Sequence, residues 1–170
     1  NTGPIEYLAI TRGGNKAYEA MLELEATGSE INLGCILLGL DAALTHRPEF
    51  QFDKAPLVGQ RVALQFEWKD ARGKVHRAGA LEMLLTDEQR AKGVRDEWIY
   101  TGSSINYEGL FAADRTGSLI GLVHDPATLV EHVVGVGIGA YGSVAGNAAV
   151  LPPVGTPVTM TLTVLEKGRA

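Results

Sequence analysis

The sequence predicts an α+β fold, a single domain over residues 1–170 with a mostly antiparallel or mixed β-sheet of about eight strands. One buried helix is expected at about 29–40, and one or two short helices at about 87–92 and 126–132. Three observations carry this. Residues 61–68 and 158–164 alternate apolar and polar side chains with the period of a half-buried strand. Ile31 to Leu40 is apolar on nearly every side, as a helix buried against a sheet is. No regular strand–helix rhythm joins the strands, which argues against a doubly wound sheet.

Ile5 to Arg12 reads as the first strand, and Gly13-Gly14-Asn15 supplies positive-φ residues for a tight hairpin turn. In the strand that follows, Tyr18, Ala20, Leu22, Leu24 and Ala26 share one face. Glu19, Glu23 and Glu25 share the other with Met21, which reads as a solvated face. Thr27 at N-cap and Glu30 at N3 form a capping box that opens the apolar helix. Residues 41–59, with Pro48, Pro56, Phe50 and Phe52, read as an ordered surface loop.

Arg61 to Trp68 turns Val62, Leu64, Phe66 and Trp68 inward, and Asp70-Ala71-Arg72-Gly73 is a hairpin loop returning through Lys74 to Ala80. Thr86-Asp87-Glu88-Gln89 repeats the capping-box pattern, with Gly93 as the stop. Trp98 to Gly102 resumes strand, and Ser103 to Gly109 is a polar loop. Phe111 to Ala113 is expected to pair with Leu119 to Val123 across Asp114-Arg115-Thr116-Gly117. The non-alternating LIGLV run predicts cover on both faces. Asp125 and Pro126 supply an N-cap acid and an N1 proline for a short helix through His132. Gly135 to Asn147 alternates glycine with Val136, Ile138 and Ala140, compatible with either a strand with one bare face or a mobile flap. Val158 to Val164 is the last strand, with a threonine face to solvent.

Composition bounds the function. A chain of 170 residues buries roughly 70% of its unfolded surface and needs no staple. The formal charge of −5, with no basic run or arginine stripe, argues against nucleic acid or an anionic membrane as partner. A single cysteine, Cys35, excludes an intrachain disulfide, a Cys-rich zinc site and a chain-supplied iron–sulfur cluster. Its apolar neighbours predict a buried, inert thiol. No run has the length of a membrane helix, since Ala112 to Val123 is broken by Asp114, Arg115 and Gly117. The chain begins at Asn1 without a methionine or a signal-like run, which reads as a processed or trimmed product.

Chemical motifs are sparse. Gly137 to Gly142 matches G-x-G-x-x-G, but Pro152-Pro153 follows where a helix is needed and Leu162 stands about where the ribose-binding acid belongs. A close-packed or flexible glycine segment accounts for it better. His46, His76, His124 and His132 share no metal-ligand spacing, so no metal or other cofactor is expected. A convergence of His124, Asp125 and His132 with Asp114 or Glu108 is the competing arrangement. Its structural counterpart has Asp125 capping a helix whose dipole favours His132. Ser103 and Ser104 follow a strand beside Tyr107 and Glu108 without a G-x-S-x-G elbow. Loop residues of this kind usually satisfy local backbone groups.

The segments ITRGGNKAYEAMLELEATGSEINLGCILLGLD, EWIYTGSSINYEGLFAADRTGSLIGLVHDPATL and LPPVGTPVTMTL resemble the bacterial YdjY domain family, over about half the chain and in the family's order. The resemblance implies an uncharacterised, often exported domain that some members carry beside a ferredoxin-type cluster module. It implies an extracytoplasmic setting, periplasmic or membrane-anchored through a removed N-terminus. The chain departs from the family's pattern at Tyr18-Glu19, where members often have a His-Glu pair, and at Asn32, where they often have a histidine near the start of the core helix.

The expectation is therefore a non-catalytic binding or structural module of an exported bacterial protein, its partner an unknown small molecule or protein, without membrane insertion. The alternative is a hydrolase in which Glu108, Asp114 and His124 are catalytic and Ser103 and Tyr107 bind the ligand; it requires at least two of the first three to converge in one pocket. Homo-oligomerisation through strand edges, with the glycines at 135–140 allowing close approach, is a third possibility.

Overall fold

A computed structural model describes residues 3–85, 87–137 and 143–165. Its eight strands are β1 (Tyr7–Thr11), β2 (Ala20–Leu24), β3 (Arg61–Lys69), β4 (Val75–Gly79), β5 (Trp98–Tyr100), β6 (Ser118–Gly121), β7 (Val130–His132) and β8 (Val158–Val164). They form one mixed, curled sheet, a half-barrel, in the order β2-β1-β6-β7-β5-β3-β4, with β8 also paired to β3. Four helices accompany it: α1 (Gly28–Leu37), α2 (Ala80–Leu84), α3 (Asp87–Arg90) and α4 (Ala112–Thr116). The α+β prediction and the strand number hold.

β3 organises the C-terminal half of the sheet. Its alternation is realised as predicted, with Val62, Leu64, Phe66 and Trp68 buried. The β3–β4 hairpin turns on Gly73 at φ 78°, and Asp70 Oδ1 accepts from the Arg72 and Lys74 amides. β8 runs antiparallel along β3 from Val62 to Trp68, so β4 and β5 share the opposite edge. At the centre, β6 is covered on both faces as expected, with Leu119, Ile120, Leu122 and Val123 buried.

Local signals mislead at five places. The glycine turn after β1 does not make a hairpin, because β2 pairs parallel to β1. The Thr11 and Asn15 amides donate to the carbonyls of Gly117 and Thr116, and the Gly14 backbone lies against Gly117. These contacts draw the connection sideways so that the chain re-enters in the same direction. Glu19 belongs to a 3-10 turn, is buried, and pairs with Lys16 at 2.7 Å; it is not on a solvated face. α1 has its predicted capping box, but only Gly28 and Cys35 are buried, and Leu33, Ile36, Leu37 and Leu38 lie exposed. The buried helix is α2, where Ala80, Leu81, Met83 and Leu84 fill the core.

The fourth correction is α4. Residues 111–113 do not pair across Asp114–Gly117; Ala112–Thr116 is a helical turn that Gly117 ends in the left-handed conformation, φ 77°. The fifth is residues 126–132. Asp125 and Pro126 open one turn only, with the Thr128 amide donating to the Asp125 carbonyl. Val130–His132 is then a central strand between β5 and β6, where two neighbours supply the hydrogen bonds a helix would otherwise have to make. The short helix near 87–92 is present as α3, and Gly93 follows it at φ 89°; Thr86 lies outside the described residues. Residues 138–142 of the glycine-rich motif also lie outside them.

Candidate functional site

Glu108, Asp114, His124 and Ser103 each have an identifiable partner. Glu108 lies 3.9 Å from Arg115 at the surface. Asp114 caps α1 from the neighbouring α4: the Ser29 amide donates to Oδ1 at 2.8 Å and the Ser29 hydroxyl donates to Oδ2. His124 is fully buried and its Nε2 donates to the His132 carbonyl at 3.0 Å. Ser103, at φ 59° and buried, donates from its hydroxyl to Ala127 O at 2.6 Å and accepts from the Ala113 amide at 3.1 Å. Tyr107 is 90% exposed. No hydrogen bond or ion pair described joins Glu108, Asp114 and His124 to one another. Among the described residues no group of three metal-ligating side chains could hold an ion.

Asp114 thus ties two segments far apart in sequence. Gly28 leaves no room for a Cβ, which would lie 2.7 Å from that of Ala113, so the helix starts in direct contact with α4. Asp114→Ala removes both acceptors of Ser29 and leaves the Thr27–Glu30 capping box in place. It is expected to cost about 1–2 kcal/mol and to speed amide exchange along residues 31–37, while β6 amides exchange as before.

A buried polar network at the centre of the sheet has no counterpart in the sequence motifs. Tyr7 of β1 donates to Asp125 Oδ2 at 2.6 Å, and the Ala127 amide donates to Oδ1 at 2.9 Å. The Asp125 amide donates to Glu131 Oε1 at 2.5 Å, while Glu131 Oε2 is buried without a hydrogen-bond partner. The Thr128 hydroxyl lies close enough to favour the charged form of Glu131, but without the geometry of a formed hydrogen bond. Burial outweighs this and, with the Asp125 charge, holds the Glu131 carboxyl well above the usual carboxylate range. Burial likewise raises Tyr7, with Asp125 adding to it, and lowers His132, whose Nε2 donates to Arg95 O at 2.8 Å. Tyr7, Thr128 and Glu131 have no accessible surface, while Asp125, which joins them, is half-buried. Its parts come from β1, the 125–128 turn and β7, so only the folded sheet assembles it. The signal that could have found it is a glutamate between Val130 and His132 in an otherwise apolar stretch.

Cys35 is buried as expected, and burial pushes its thiol up to about 11. Asn32 accepts from the Tyr100 hydroxyl at 2.6 Å, a bond that fastens α1 to β5.

An accessible concavity lies elsewhere among the described residues, where the curled sheet fails to close. β2 and β8 each pair on one side only among the described residues. Between β2 and the chain entering β8 lie two adjoining clefts of about 460 Å³ and 620 Å³. Met21, Leu22, Val154 and Val158 line both, with Pro152 and Pro153 closing one and Met160 at the floor of the other. The two walls differ in charge. On the β2 side, Arg12 pairs with Glu25 at 2.6 Å and reaches Glu23 at 3.9 Å. β8 carries no charge from Val158 to Val164.

The direction of the free β8 groups follows from its pairing. The Leu165 amide donates to Arg61 O, so the alternating residues 163, 161 and 159 also face β3. The amides and carbonyls of Met160, Leu162 and Val164 therefore point away from the sheet. Comparison with protein-family models, with curated proteins and with solved structures finds no match to this chain.

Proposed function

We propose that this chain is a non-catalytic binding module, a YdjY-like domain of an exported bacterial protein, that accepts an extended polypeptide strand along β8. The unpaired, uncharged outer edge of β8 beside an apolar cleft carries the proposal. Main-chain groups of Met160, Leu162 and Val164 would supply affinity, and the Met21, Leu22 and Val158 surface would select apolar side chains at alternate positions. A charged or proline-rich segment is disfavoured there. The hydrolase alternative needs groups that converge on an accessible pocket, whereas Arg115, Ser29 and the His132 carbonyl engage Glu108, Asp114 and His124 separately.

Amide chemical shifts of labelled protein, followed during titration with a synthetic peptide of residues 157–165, test this. Shifts concentrated at 158–164 and at Met21 and Leu22 are expected. Shifts confined to the 103–115 region, or none at all in protein that is monomeric, overturn the strand-binding reading.

A further inference from the structure

We infer that the strand β8 accepts is β8 of a second copy of this chain, an inference that rests on the strand-binding reading. The sequence Val158-Thr-Met-Thr-Leu-Thr-Val164 is nearly the same read in either direction. An antiparallel pair about a two-fold axis at Thr161 sets Val158 against the partner's Val164, Thr159 against the partner's Thr163, and Met160 against the partner's Leu162. Every apolar residue then meets an apolar one and every threonine a threonine, so each sheet face continues across the junction.

The hydrogen-bond phase agrees with this register. Residues 158, 160, 162 and 164 aim their main-chain groups outward, and the axis at Thr161 sets 160 opposite 162 and 158 opposite 164 as hydrogen-bonded pairs. An axis at Met160 or Leu162 would also match outward groups, but it would leave Val164 without a β8 residue opposite it in the first case and Val158 without one in the second. Only the Thr161 axis uses the whole strand. Val158, Met160, Leu162 and Val164 are each half-buried in the single chain, and the second copy completes their cover. Edge strands that stay alone are usually interrupted by a charge, a proline or a bulge, and β8 has none of these between Val158 and Val164.

The symmetry gives a register-specific test. Wild-type protein in light scattering is expected at twice the 18.1 kDa chain mass. Thr161→Lys and Thr161→Glu each set like charges together on the axis and are expected as monomers. An equimolar mixture of the two restores the dimer. Under oxidation Thr161→Cys links to itself, since non-hydrogen-bonded pairs approach within disulfide range, and Thr159→Cys links only to Thr163→Cys. The threonines are exposed, so folding of each variant is checked by its circular dichroism. A wild-type monomer at millimolar concentration overturns the self-pairing, as does a dimer indifferent to both charged variants. If that monomer still shows β8 shifts with the 157–165 peptide, the strand-binding reading stands with another partner; if it shows none, both fall.

Discussion

Trp98→Ala is expected to remove about 3–5 kcal/mol of stability, the usual cost of deleting a large aromatic side chain from a packed core. A domain with a total of about 5–15 kcal/mol would be left marginal or unfolded at room temperature. Trp98 has no accessible surface and lies in β5 opposite both Val62 and His132. Its ring meets His132 edge-on, with centroids 5.3 Å apart and planes at 87°. Its indole N–H donates to Asp96 Oδ1 at 2.5 Å, and Asp96 Oδ2 accepts from the Leu81 amide at 3.4 Å near the start of α2. The deletion therefore strikes the sheet centre and the buried helix together. Urea unfolding checks it, with Trp68, the other of the two tryptophans, reporting by fluorescence. Trp98→Phe keeps most of the ring and should lose clearly less; equal losses would show that packing is not what the site contributes.

Glu131→Gln is expected to stabilise the protein at neutral and alkaline pH and to have little effect near pH 4. Glu131 titrates higher in the folded chain than in the unfolded one. Above the ordinary glutamate value of about 4.3, the folded state therefore holds more of this proton than the unfolded state. Stability from this group is fully present below that value and declines as pH rises through the folded value, by at most about 1.4 kcal/mol per pH unit. Glutamine keeps an acceptor for the Asp125 amide and brings a donor within reach of Thr128, without a charge to desolvate. The measurement is the difference in urea stability between variant and wild type as a function of pH. A difference that does not grow with pH would refute the assignment. Glu6, also raised, first by its own burial and then by Glu19, contributes to the wild-type slope in the same sense and cancels in the difference.

What the sequence disclosed was set by the range of the interactions involved. β3 and β8 are legible because alternation is a local consequence of one buried face, and Gly73 sits where the hairpin needs a positive φ. The cap of α1 is legible for the same reason, since Thr27 and Glu30 satisfy each other's backbone amides. β7 is not, because Asp125 and Pro126 signal a helix that pairing with β5 and β6 overrides. The placement of α1 is not legible either, because an all-round apolar helix says nothing of which neighbour covers it. Among the candidate residues, Asp114 and Ser103 could be noticed as polar groups at loop and turn positions. Their partners, Ser29 and Ala127, are long-range facts. The seam between β2 and β8 is of that kind too, since both strands are locally ordinary and only the order of the whole sheet makes them edges.

The pairing of β8 with β3 also has a history in time. At about 5–20 residues per second, a ribosome that has finished β3 takes roughly 5–20 seconds to reach the end of β8. For that interval the nascent chain carries β3 with one whole edge unpaired. Arg61, Glu67 and Lys69 lie along it, charges that discourage adhesion to other nascent chains. β8, the last of the eight strands to be made, finds β3 already present, so its β3-facing edge waits far less time, and the strand carries no such charge. The contrast in charge between the two partners of one ladder thus matches how long each must wait during biosynthesis.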